Sequence, residues 1–308
     1  MDWIEKKIDE IRNDRSHGAA QLGASAVHIL ASVCKHSKAE NLEQLESEVK
    51  HTALSLAEAR PSMAPIRNWS LVFARRFKEK IEEGSTHHEA RKQGMVLGDE
   101  LLQQQKAFAN LQIESAQTIL RRCSSVVTLS YSSTVESILR HGIPSHCTVI
   151  IAESRPLMEG RRLFTNLMDS SVSVRMITDA QLGLAVPDAD LVLVGADTIL
   201  RDLAVVNKTG TYLSALVAAA HARDFFVAAD TFKINVKMDT HNCVLESKSG
   251  REIWPEQERH CENVYFDITP GKLVTGFVTE EGILDVSGMS RVIRRWEEIT
   301  ENFEQCSQ

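Results

Sequence analysis

The feature that most constrains this chain is a change of hydrophobic period near residue 122. Before it, apolar residues recur at helical spacing, as in Leu22, Ala26, Ile29, Leu30 and Val33, and again in Leu97, Leu101, Leu102, Phe108 and Leu111. Such spacing places them on one face of a helix. Breaks near His17-Gly18, from His36 to Glu40, at Arg60-Pro61 and at Glu83-Gly84-Ser85 divide this half into four or five helices. After residue 122 come short β-branched runs, each followed by a turn and a helical stretch. Strands are predicted at 125–128, 148–151, 172–177, 191–194, 225–228 and 273–278, with helical spacing in 133–141 and 159–168. Apolar strands alternating with helices specify a parallel sheet with right-handed crossovers. The expected fold is therefore α/β: a helical N-terminal domain over 1–122, then a Rossmann-like, ligand-binding parallel-sheet domain over 123–308.

At 308 residues the chain can bury a sizeable core. It contains no run of about 18 apolar residues, and it opens with the charged helical pattern MDWIEKKIDEIRNDR, so a cytoplasmic protein without a membrane span is expected. A formal net charge of -7 argues against direct nucleic-acid binding, because neutralising phosphates needs a dominant basic surface. The basic stretch from Arg67 to Lys80 interleaves Trp69, Leu71, Val72, Phe73 and Phe77 with Arg75, Arg76, Lys78 and Lys80, which reads as an amphipathic helix with a solvated edge. Cys34, Cys123, Cys147, Cys243, Cys261 and Cys306 show neither C-x-x-C nor zinc spacing and read as reduced packing residues. His87-His88 reads as solvated, and Asp239 to Asn242 lacks the carboxylates of a calcium loop. Neither a metal nor a cofactor is expected.

In open α/β sheets ligands collect past the carboxyl ends of the strands, where helix N-termini offer unpaired N–H groups. The first strand is followed by Ser130, Tyr131, Ser132, Ser133 and Thr134, all hydroxyl-bearing; the second by Glu153-Ser154-Arg155-Pro156; the fourth by Gly195-Ala196-Asp197. The segment Asn207-Lys208-Thr209-Gly210-Thr211 is expected to open a helix, and the fifth strand leads to Asp230-Thr231-Phe232-Lys233. Each group has an ordinary structural explanation. The serines could be N-caps, Arg155 could pair with a surface carboxylate, Asp197 could cap a turn, and Lys233 taken alone would be solvated. Asp267 and Glu281 fall near late turns and are read as structural. The coincidence of the hydroxyl cluster, Arg155, Asp197, Asn207, Lys208 and Lys233 on one sheet edge favours a cationic pocket for phosphate with a carboxylate at its centre for proton transfer.

At these residues the chain resembles the family that contains the α, β and δ subunits of translation initiation factor 2B, methylthioribose-1-phosphate isomerase and ribose-1,5-bisphosphate isomerase. VLVGADTI (Val192 to Ile199) and NKTGTY (Asn207 to Tyr212) look like the isomerases' signatures, and ESRP (Glu153 to Pro156) is shared across the family. His17-Gly18-Ala19 and Ala59-Arg60-Pro61-Ser62 look like its two N-terminal substrate-contact motifs. The resemblance covers most of the chain. It implies dimers or higher homo-oligomers, and in the enzyme members an aldose-phosphate to ketose-phosphate isomerisation. By position it makes Asp197 the catalytic acid/base. It makes Arg60, Asn207, Lys208 and Lys233 substrate-binding, with Gly18 and Ala19 in the first contact motif and Lys208 and Arg60 holding phosphate; the sheet-edge reading adds Ser132, Ser133 and Arg155 as substrate-binding, and Ser130 stands beside Asp197 as a catalytic candidate.

Three departures follow. Ser130 stands where the isomerases carry a catalytic cysteine, and an alcohol titrates far above a thiol's pKa of about 8.5. His17 replaces an arginine, and Glu159 replaces a glutamine. TLSYSSTVESIL (Thr128 to Leu139) looks more like the initiation-factor subunits, whereas Asp197 and Asn207-Lys208 look more like the enzymes. Two functions are thus implied: an isomerase acting on an aldose 1-phosphate such as ribose 1,5-bisphosphate or methylthioribose 1-phosphate, or a noncatalytic regulatory subunit that binds a sugar phosphate or nucleotide, with other initiation-factor subunits as candidate partners.

Overall fold

The computed structural model describes residues 2–14, 17–61 and 63–305; Ser62 of the second N-terminal motif and Cys306 lie outside them. In chain order the elements are α1 (Asp2–Asn13), α2 (Ala19–His36), α3 (Leu42–Ala59), α4 (Ala64–Glu82) and α5 (His87–Leu120). Then follow β1 (Ser125–Leu129), α6 (Ser133–Gly142), β2 (Thr148–Ala152), α7 (Gly160–Met168), β3 (Ser173–Ile177) and α8 (Leu182–Asp188). Next come β4 (Leu191–Gly195), β5 (Thr198–Leu200), β6 (Val205–Lys208), α9 (Thr211–Ala220), β7 (Asp224–Ala228) and β8 (Ile234–Asn235). The last are β9 (Phe266–Thr269), β10 (Gly276–Thr279), β11 (Gly282–Leu284) and α10 (Val286–Gln305). The chain forms two compact units: one runs through Ala107 and takes in Phe232–Ile234 and the chain from Arg295, and the other holds Phe108–Thr231 and Asn235–Arg294.

The helical unit follows the apolar spacing. Leu22, Ala26, Ile29, Leu30 and Val33 are all buried along α2, and Asn41 caps α3 by accepting from Gln44 N. The α4 stretch buries Trp69, Leu71, Phe73 and Phe77, while Arg75 pairs with Glu79 and Lys78 with Glu82 on its outer edge. Phe232 stacks on Trp69 at 3.8 Å between ring centroids and meets Trp296 edge-on. Asn68 donates to the carbonyls of Phe232 and Ile234, both at 2.7 Å. Lys233, held between those two residues, is buried rather than solvated.

The second unit is built on a seven-stranded sheet in the order β11-β10-β7-β4-β1-β2-β3. Every pairing is parallel except β10 with β11. β1 to β3 therefore grow in one direction and β4, β7 and β10 in the other, which puts the topological switch point between β1 and β4. Val126, Val127, Val192, Leu193 and Val194 are wholly or almost wholly buried, as continuous apolar strands covered on both faces require. The last predicted strand is shorter than expected: Gly271–Leu273 is a 3₁₀ turn, and pairing begins at Gly276. A smaller antiparallel ladder of β5, β6 and β9 carries little sequence signal, because its strands are three or four residues long.

Glycine fixes one close approach near the sheet edge. A Cβ on Gly160 would fall inside van der Waals contact of the Ala152 carbonyl oxygen, so α7 can begin directly over the end of β2 only with glycine there. Gly160→Ala should therefore lower the unfolding free energy by about 1–3 kcal/mol. Chemical denaturation of the two proteins checks this, and an unchanged midpoint would contradict the packing described.

Candidate functional site

Ser130 and Asp197 follow β1 and β4, the two adjacent strands that flank the switch point. Ser130 is buried and adopts a left-handed backbone, φ 61°, a conformation that non-glycine residues hold mainly where the surroundings impose it. Asp197 is half-buried, and its amide donates to Val206 O at 2.9 Å, which ties the end of β4 to β6. Ser132 accepts from Val135 N at 3.4 Å as the N-cap of α6. Its hydroxyl also lies against Gly195, where a Cβ would meet Oγ at 2.6 Å. Ser133 occupies the first helical position and is exposed.

Asn207 and Lys208 do not open a helix as expected. They are the last residues of β6, paired with Asp267 and Phe266 of β9, and α9 begins only at Thr211. The left-handed Gly210, φ 107°, makes the corner between strand and helix. Asn207 is buried, donating to Thr211 Oγ1 at 3.0 Å. Lys208 is buried too. Its Nζ donates to Glu159 Oε1 at 2.8 Å and sits 4.8 Å from the centroid of the Tyr265 ring. Tyr265 in turn donates its hydroxyl to the Glu252 carboxylate at 2.6 Å.

Arg155 is exposed, and its guanidinium donates to Ile253 O at 3.4 Å rather than to a surface carboxylate. Gly18, Ala19, Arg60 and Lys233 belong to the helical unit. There Gly18 N donates to Gln21 Oε1 at the start of α2, Ala19 is buried, and Arg60 donates to Asp14 O at 2.7 Å. Among the described residues no cluster of metal-ligating side chains occurs, and no helix is long and apolar enough to cross a membrane. Cys34, Cys123 and Cys147 are buried free thiols; burial pushes Cys34 and Cys147 up to about 12 and Cys123 up to about 11.

Three carboxylates, of which only Asp267 drew a sequence reading, take up backbone donors at this edge. Asp179 accepts from Ser154 N and Arg155 N at 2.8 and 2.7 Å. Asp267, which lies within β9 and not in a turn, accepts from Gly210 N at 2.7 Å and Tyr212 N at 3.1 Å and so occupies the N-terminus of α9. Glu280, just past β10, accepts from Thr231 N and Thr231 Oγ1. No spacing rule announces these partners, since each meets its donors across 24 to 57 residues of chain. Burial pushes Asp267 up to about 6 and Glu280 up to about 7, the latter helped by the neighbouring Asp230 charge.

Because folding raises the Glu280 pKa from 4.5 to about 7, the folded state binds that proton more tightly than the unfolded chain. The associated stability is full below pH 4.5 and is lost as pH rises through about 7. Glu280→Gln should therefore show a flatter fall in unfolding free energy across that window than wild type. Denaturant melts at closely spaced pH values measure it, and parallel curves would contradict the assignment.

The model of the initiation factor 2 subunit family matches residues 15–286. A Pyrococcus furiosus protein named as a putative translation initiation factor eIF-2B subunit 2-like is 35% identical over 294 residues, covering 91% of this chain and 96% of the relative. Ribose 1,5-bisphosphate isomerase of Methanocaldococcus jannaschii is 25% identical, with 96% of each chain covered. Among solved structures, the Pyrococcus horikoshii translation initiation factor eIF-2B superposes with a TM-score of 0.76 at 28% identity, covering 93% of this chain and 98% of that one. Family model, relatives and fold agree, and the chain belongs to the initiation factor 2 subunit family.

Proposed function

We propose that the protein is a sugar-phosphate isomerase acting on an aldose 1-phosphate, with Asp197 as its acid/base. The observation that carries this reading is the position of Asp197: a half-buried carboxylate at the end of β4, beside the switch point and next to the left-handed corner at Ser130. Ligands of open α/β sheets gather at such a crevice. The relative of Methanocaldococcus jannaschii, similar along nearly its whole length, is named for an isomerisation of this kind. Asp197 would move a proton on the opened sugar as the aldose becomes a ketose. Ser130 would bind a sugar oxygen by hydrogen bond; its hydroxyl is too weak an acid to replace a thiol in proton transfer.

A second reading has its own support. The Pyrococcus furiosus relative is named as initiation-factor-like, and here Lys208 is paired within the chain, so the same pocket could sense a sugar phosphate or nucleotide without turnover, beside other subunits of an exchange factor or within a homo-oligomer.

Incubation with ribose 1-phosphate, ribose 1,5-bisphosphate and methylthioribose 1-phosphate, followed by NMR, separates the two. The isomerase forms ketose product, and Asp197→Asn lowers kcat by about 10²- to 10⁴-fold while ligand affinity stays within about threefold. Binding without product, together with co-purification of other initiation-factor subunits, establishes the regulatory reading instead.

A further inference from the structure

Lys208 cannot serve as an open phosphate clamp in this chain. Its side chain is only 6% exposed, and its ammonium is held by Glu159 Oε1 at 2.8 Å and covered by the Tyr265 ring. Arg161, at the start of α7, is committed as well, to Glu153 at 3.0 Å. The next residue is different. Arg162 is exposed, and among the described residues its guanidinium meets no carboxylate; it lies over the Tyr131 ring, 3.9 Å from the centroid. Stacking of this kind fixes a guanidinium through its face and leaves its N–H groups at the rim for a ligand.

Placement matters as much as freedom. Tyr131 directly follows Ser130 and precedes Ser132, the N-cap of α6, so its ring stands just past the end of β1, one of the two strands at the switch point. The Glu136 carboxylate on α6 is already occupied, by Arg140 and by Asn166 Nδ2, both at 3.1 Å. That second bond seats α7 on α6. Arg162 lies one turn before Asn166 on the same face of α7, which carries it over the start of α6, where Ser133 is exposed. Arg155, the other exposed guanidinium of this edge, donates instead to Ile253 O at 3.4 Å in the segment between β8 and β9. Resting on the phosphosugar reading above, we propose that Arg162, propped on Tyr131, is the phosphate-binding residue of this site and replaces the clamp that the Lys208 ammonium no longer offers. A planar guanidinium can give two parallel N–H bonds to one phosphate.

Calorimetric titration of the full chain with ribose 1-phosphate and methylthioribose 1-phosphate tests this. Arg162→Ala should weaken whichever of them binds wild type by about tenfold or more, with the denaturation midpoint unchanged because the side chain is exposed. Tyr131→Leu, which removes the ring beneath an intact guanidinium, should cost about threefold or more. Arg161→Ala, which deletes the same charge one residue away, should stay within about twofold of wild type. Wild-type affinity in Arg162→Ala or Tyr131→Leu overturns the proposal and leaves the phosphosugar reading standing. So does an equal loss in Arg161→Ala, the mark of a general charge effect, or a loss confined to Arg155→Ala. Absence of binding by wild type overturns both. If Tyr131→Leu does not fold, the arginine variants alone decide the outcome.

Discussion

A buried ammonium must be answered by an opposite charge, and the answer given to Lys208 by Glu159 organises the carboxyl edge of the parallel-sheet unit. Leaving the buried Lys208 ammonium without its partner would be costly, and the pair ties β6 to the start of α7. The Tyr265 ring covers the same cation and is anchored by Glu252, and the network thereby reaches into the segment between β8 and β9. This edge is a set of paired polar groups on crossing elements, not a row of side chains along one strand.

The same logic recurs along the edge. Helix N-termini and strand ends of a Rossmann-like sheet present N–H groups that attract anions. Here Asp179 takes those of Ser154 and Arg155, Asp267 those of Gly210 and Tyr212, and Glu280 that of Thr231. A chain of formal net charge -7 thus supplies its own anions to several donors that the fold would otherwise offer to a ligand. The region between β1 and β4 keeps a different character, with the strained corner at Ser130 and the half-buried Asp197 on neighbouring strands. Family membership is consistent with either use of such a crevice, since relatives of comparable coverage are named for initiation and for isomerisation.

The strength of local patterning sets how much could be read in advance. Helical spacing in α2 and α4, and β-branched runs in β1, β2, β4 and β7, placed those elements because burial of one face or of a whole strand leaves a periodic mark. Asn207-Lys208 reads as a helix start because the Gly210-Thr211 pair just after it does open one. The two residues themselves are held in β6 by β9, some 60 positions away in sequence, and such pairing leaves no local trace. Lys233 reads as solvated by its type, yet the stacking of Phe232 on Trp69 and the hold of Asn68 on both flanking carbonyls bury it.

The order of periodic elements, the parallel sheet they imply, and the gathering of Ser130 and Asp197 at its carboxyl edge were all written in the sequence, because backbone hydrogen bonding and apolar burial act over short stretches of chain. Which charged groups neutralise one another was not. That Glu159 meets Lys208 across 49 residues, that Tyr265 covers the ammonium, and that Asp267 closes the α9 terminus depend on side chains brought within about 3–5 Å by folding, where Coulomb attraction in a poorly solvated interior becomes decisive.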